Sequence, residues 1–217
     1  MSTQLSNNAS PGAGAGASAD TPAVDALPPY AGIALANVRL VKTADDAASA
    51  LAALAAADVV GFDTESKPTF AKGEKSTGPH LVQLATDDTV YLLQVGAAPL
   101  REELQTLLRT VLESPAILKV GFGLGDDLRR LHSKLGIDTK NVLDLSTALR
   151  RRGERNTLGA KTAVARFFSQ ALTKSKRITT TNWALPQLSD KQILYAADDA
   201  HVALRIYRHW RANPGSV

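Results

Sequence analysis

Residues 61–66, GFDTES, set Asp63 and Glu65 two positions apart, directly after the apolar pair Val59-Val60. In an extended chain successive side chains alternate faces, so both carboxylates fall on one side of a sheet. Like charges side by side repel, and without a cation between them such a pair shifts its pKa or weakens its strand. A divalent metal suits hard carboxylate oxygens, which makes metal-assisted chemistry one reading and an exposed strand face the other. Helical spacing singles out two further acids. At about 100° per residue, the segment from Asp190 to near Trp210 presents Ile193, Ala197, Ala200, Leu204 and Tyr207 as one apolar stripe, with Tyr195, Val202 and Ile206 beside it. Asp199 falls in the second stripe, one turn after Tyr195, whereas Asp198 points into a polar sector with Lys191, His201, Arg205 and His209. A buried charge asks for a partner or a metal, so Asp199 is the candidate of the two. In GFGLGDDLRRL, taking Leu128, Leu131 and Leu135 as the buried stripe puts Asp127 at its edge and Asp126 roughly opposite.

The elements that would position these side chains follow from periodicity. NVRLVKT reads as a strand, ADDAASALAALAAA as an alanine-rich helix and DVVGFDTES as a central strand. HLVQLAT and VYLLQV alternate on either side of Asp87-Asp88, as in a hairpin. PLREELQTLLRTVLES is a helix, AILKVGF a buried strand, GDDLRRLHSKL a second helix and NVLDLS a further strand; from about residue 146 the chain reads helical. Its last helix has a capping-box start at Ser189 and Gln192. Strands followed by βα alternation and closing helices predict a single α/β domain with a mixed sheet. Glycines 121, 123 and 125 do not have the G-x-G-x-x-G spacing of a dinucleotide loop.

Composition sets the bounds. The chain has 217 residues, 44% of them hydrophobic, enough for one core. Residues 1–30 are rich in Ala, Gly, Ser, Pro and Asn, carry no Lys or Arg and show no apolar periodicity, so a disordered tail is expected there, a folded unit over 31–213 and a short tail over 214–217. No apolar stretch is long enough to cross a bilayer, and the absence of cysteine is compatible with a reducing cytoplasm, the location expected here. The formal net charge is +4, and the tail's only charges, Asp20 and Asp25, leave +6 on the rest. Between residues 150 and 177 nine Lys or Arg, among them Arg150, Arg151, Arg152, Arg155, Lys174, Lys176 and Arg177, face the single acid Glu154. That run is either a polyanion footprint or a solvated helical face.

FDTE, then VGFGLGDDLRRL, then YAADDA with a tyrosine four residues before an aspartate, resemble the three exonuclease motifs of the DEDDy 3′–5′ exonucleases, in the RNase D and Werner-syndrome exonuclease-domain branch. KSKRITTTNWALPQLSDKQILYAADDAHVALRIY resembles that branch's passage into and through its third motif, and the resemblance spans roughly residues 35–211. It implies a ribonuclease-H-like mixed sheet flanked by helices. It also implies a metal-ligand set of Asp63, Glu65, Asp127 and Asp199, with Tyr195 positioning the attacking water. One departure is plain: Ser66 stands where Werner-type members carry Trp.

The implied chemistry is phosphodiester hydrolysis assisted by two divalent ions, Mg²⁺ or Mn²⁺, about 3.5–4 Å apart, one activating water and the other neutralising the departing oxygen. The implied partner is a nucleic acid with a free 3′ end, single-stranded or frayed, and no membrane. Tyr195, with an ordinary pKa near 10, suits a positioner better than a base. Trp183 either stacks on a base or packs; Phe167 and Phe168 read as core, and the four histidines are given no catalysis. A non-cutting nucleic-acid-binding scaffold and an endonuclease on the same fold are the alternatives.

Overall fold

The computed structural model describes residues 27–69, 73–74, 76–96 and 99–214. Six strands form one mixed sheet in the order β1-β4-β3-β2-β5-β6, with β1 at Val38–Leu40, β2 at Val59–Glu65, β3 at Leu81–Ala85, β4 at Val90–Gln94, β5 at Leu118–Gly121 and β6 at Val142–Asp144. β3 runs antiparallel to β2 and β4, and the remaining pairs are parallel. The expected hairpin is β3–β4, closed at Asp87-Asp88 by Thr86 N donating to Thr89 O at 2.9 Å.

Alternation along β2 decides the layers. Val60 and Phe62 point into a core shared with α1 (Ala44–Ala55), α2 (Glu102–Leu112) and α3 (Gly125–Leu135). Val59 joins the opposite core, built on α5 (Ala160–Phe168) and α7 (Asp190–Ala212). α7 begins with the expected capping box between Ser189 and Gln192. It passes so close over β2 that a Cβ on Gly61 would lie 2.1 Å from the Ala200 carbonyl oxygen, so only glycine admits this crossing. Farther along, Arg208 grips Asp58 with two hydrogen bonds of 2.7 and 2.8 Å and reaches Asp87 at 3.2 Å, clamping α7 to the end of the sheet where β2 begins and β3 turns into β4. The hydrogen bonds from Arg208 hold the Asp58 carboxyl down at about 2. Two short helices, α4 (Leu145–Ala148) and α6 (Lys176–Thr179), complete the helical C-terminal half.

Two expectations need correction. The folded unit starts before residue 31: Tyr30 N donates to Ala171 O at 2.9 Å, Ala171 N donates to Pro28 O at 2.8 Å, and the Tyr30 ring stacks on Phe168. A backbone bridge with a distant loop leaves no local signature, which is why the tail's composition concealed it. Asp198, in turn, is half-buried and accepts from Ile33 N at 2.8 Å, and His201 is buried with Nε2 3.0 Å from the Asp87 carbonyl oxygen. The N-terminal segment and the hairpin turn therefore cover much of the sector expected to be solvated. The tail over 1–26 and residues 215–217 lie outside the described residues.

Candidate active site

Asp63 and Glu65 occupy the carboxyl end of β2, beyond the span Val59–Gly61 that pairs with β5. They share the face of Gly61, so both carboxylates come up beneath α7. Asp127, the third residue of α3, enters from the β5–α3 loop, and Asp199 descends from α7. Asp127 and Asp199 are buried, while Asp63 and Glu65 are half-buried. Asp126 is instead exposed and pairs with Arg129, as the helical spacing implied.

The loop that delivers Asp127 is held by Asp144, whose carboxylate accepts from Gly123 N at 2.9 Å, Leu124 N at 3.0 Å and Ser146 N at 2.9 Å. The glycine-rich stretch thus commits two of its amides to a side chain of its own fold. The Thr64 hydroxyl donates to Asp127 Oδ1, joining the opposite face of β2 to α3. Neither Asp144 nor Thr64 stands out from the sequence, although the D-L-S pattern at 144–146 carries the N-cap chemistry that Asp144 uses.

Burial raises all four acids, and at Asp63 and Glu65 the neighbouring charges add to it. Burial pushes the Asp63 carboxyl well above the carboxylate range, and the charges of Asp199, Asp127 and Glu65 push it further. Burial with the Asp199 charge brings Glu65 to about 8. Burial raises Asp127 as well, against the opposing pull of the Thr64 hydroxyl. Asp199 is raised by burial and pulled back by Lys174 and the Tyr195 hydroxyl. The Tyr195 phenol is itself raised by burial and by Asp199, and its hydroxyl lies 2.9 Å from Thr179 Oγ1. A phenol held in its protonated form can orient a water but is a poor base.

Lys174, assigned from sequence to the basic run, stands inside this cluster with Nζ 2.6 Å from Asp199 Oδ1. Trp183 requires correction: it is fully buried among Ile33, Leu81, Leu92 and Ile193, its Nε1 donates to Thr179 O at 3.3 Å, and its ring centroid is 6.1 Å from that of Tyr195. A ring so enclosed has no free face for a base and instead backs the tyrosine. Arg150, Arg151, Arg152, Arg155 and Arg177 are exposed, whereas Arg166 from the same run is tied to Glu154 at 2.6 Å. The Lys176 side chain lies outside the described part. Phe167 is buried as expected, and Ser66 Oγ is buried without a hydrogen-bond partner. Gln83, directly across from Asp63 in the β2–β3 register, is fully buried with both amide atoms unpaired, a feature that β-strand alternation alone does not reveal.

All the donors in this set are carboxylate oxygens, the chemistry that hard divalent ions prefer, and their mutual repulsion is what a cation would relieve. Among the described residues, no group of three His, Cys, Asp or Glu side chains is gathered to hold an ion as it stands. Asp199 is turned to Lys174, Asp127 to Thr64, and Asp63 Oδ1 accepts from Thr64 N at 2.9 Å. The donor set fits the metal; ligation requires those internal contacts to be exchanged. No helix among the described residues is long and apolar enough to cross a membrane.

Comparison with known proteins places the chain in a family. The chain is 29% identical over 163 residues to a 3′-5′ exonuclease of Arabidopsis thaliana, covering 73% of this chain and 54% of that protein. It is 27% identical over 152 residues to the bifunctional 3′-5′ exonuclease/ATP-dependent helicase WRN of Mus musculus, covering 70% of this chain and 11% of that protein. The chain thus spans about half the length of the first and about a tenth of the second. The EXO domain of Aedes aegypti Nibbler superposes with a TM-score of 0.69 at 27% identity, covering 82% of this chain and 88% of that one. Escherichia coli RNase D shares the fold, with a TM-score of 0.65 at 21% identity over 83% of this chain and 48% of that one. A model of the 3′-5′ exonuclease family matches residues 38–212, most of the length, and the chain belongs to that family.

Proposed function

We propose that this protein hydrolyses phosphodiester bonds one nucleotide at a time from the 3′ end of a single-stranded or frayed nucleic acid, releasing nucleoside 5′-monophosphates. The observation that carries this reading is the approach of Asp63, Glu65, Asp127 and Asp199, from three separate elements, to the carboxyl end of β2 beside Tyr195. The four acids would hold two divalent ions, Mg²⁺ or Mn²⁺, which when bound activate water and neutralise the leaving 3′-oxygen. Tyr195 OH, fixed by Thr179 and backed by Trp183, orients the attacking water. Thr64 and Asp144 keep Asp127 in place. The exposed arginines at 150–152 and 155 and Arg177 hold the phosphate backbone.

A gel time course tests this, with 5′-labelled RNA and DNA of one sequence, each with Mg²⁺, Mn²⁺ or EDTA. The expected result is a metal-dependent ladder shortening from the 3′ end, at least about 10³-fold slower in Asp63→Ala and Asp199→Ala of unchanged circular dichroism. Shortening that persists in both variants would refute the assignment. Retained binding without cutting by the wild type would point to a scaffold, and cutting of circular substrates to an endonuclease.

A further inference from the structure

Lys174 is not placed like a surface lysine. Besides its 2.6 Å contact with Asp199 Oδ1, its Nζ lies 5.9 Å from the centroid of the Tyr195 ring. Its positive charge also bears on Asp63 and Glu65. The segment that carries it is tied down: Leu172 is buried, and Ala171 is bridged to Pro28 and Tyr30 by two backbone hydrogen bonds. Ion-paired at this distance and carried on that anchored segment, Lys174 stands as a positive charge beside Asp199 within the acid cluster.

An ammonium 2.6 Å from Asp199 Oδ1 takes up one acceptor site of that carboxylate and repels a divalent ion brought to the same oxygen at its ligand distance of about 2.0–2.1 Å. We infer that Lys174 holds the place of one divalent cation at Asp199, so that the free protein takes up one ion readily and a second only when a substrate phosphate draws the ammonium away. In the exchange every charge keeps a partner of opposite sign. The ammonium leaves a carboxylate for a phosphate oxygen, and the carboxylate receives the incoming ion. This rests on the exonuclease reading and adds an order of events to it: phosphate first, second ion after.

The test is calorimetric titration of Mn²⁺ into the full chain, as wild type, Lys174→Met and Lys174→Arg, with and without a nucleoside 5′-monophosphate, alongside cleavage rates and thermal melts. The wild type is expected to bind one ion per chain alone and two with the nucleotide. Lys174→Met is expected to bind two without it, with the second site at least about tenfold tighter than in the wild type, while its cleavage rate falls; Lys174→Arg should keep the wild-type stoichiometry. Tighter metal binding with slower cutting is a pair of opposite effects that a merely structural lysine would not produce. Equal second-ion binding in wild type and Lys174→Met overturns the inference and leaves the exonuclease reading standing. Failure of both proteins to bind any Mn²⁺ overturns the two together.

Discussion

At Glu65 the cost of gathering acids becomes measurable. Burial and the Asp199 charge move its carboxyl from 4.5 to about 8, so between those values the folded chain keeps a proton that the unfolded chain releases. Stability of the chelated protein is therefore expected to fall as pH rises through that window, by up to about 1.4 kcal/mol per pH unit for one proton. Asp63, raised in the same direction, adds to the slope. Urea denaturation in EDTA between pH 5.5 and 8.5 measures this, and Glu65→Gln should flatten the profile; a profile already flat in the wild type would show that Glu65 ionises normally. Metal binding near pH 7 should correspondingly release protons, visible as a dependence of the binding heat on the buffer's ionisation enthalpy.

Between elements, the decisive contact is α7 against β2. The helix brings Asp199 and Tyr195 over Asp63 and Glu65 only because Gly61 leaves room for the Ala200 carbonyl. Gly61→Ala forces a backbone to move, since the obstructing atom is main chain and not a flexible side chain. The expected outcome is destabilisation of about 1–3 kcal/mol by chemical denaturation and a drop in cleavage with secondary structure retained. Full activity in that variant would mean that the spacing of the two elements does not set the site. The clamp of Arg208 on Asp58 and Asp87 works at this same scale, fixing where along β2 the helix lies.

For the molecule as a whole, the charge distribution matters most. The tail's acids set aside, the chain carries a net +6, and Arg150, Arg151 and Arg152 are exposed in the turn after α4. Replacing those three by Gln should weaken single-stranded nucleic-acid binding and reduce the slope of log K against log salt by about 0.7 for each phosphate that is no longer neutralised. Fluorescence anisotropy between 50 and 200 mM salt reads this out, and an unchanged slope would place the phosphate track elsewhere. Lys174 belongs to a different account: its partner is a carboxylate inside the cluster, so its removal should alter metal uptake as well as binding.

The order and type of the elements were legible from local pattern, because period-two and period-3.6 burial are properties of contiguous residues. The same reasoning separated Asp127 from Asp126, and it placed Asp199 on the buried side of a helix whose cap was also visible. It did not separate Lys174 from the arginines around it, since a run of like charges looks uniform until one member is carried to a carboxylate 25 positions away. Nor did it find that Trp183 is enclosed, that Asp144 secures the loop before Asp127, or that Pro28–Tyr30 belong to the fold. Each of these depends on surfaces or hydrogen bonds supplied by residues distant in sequence. Sequence by itself determined which acids are candidates and on which elements they ride. Only the tertiary structure decided what stands between them, because a charge takes its partner from what lies near it in space and not along the chain.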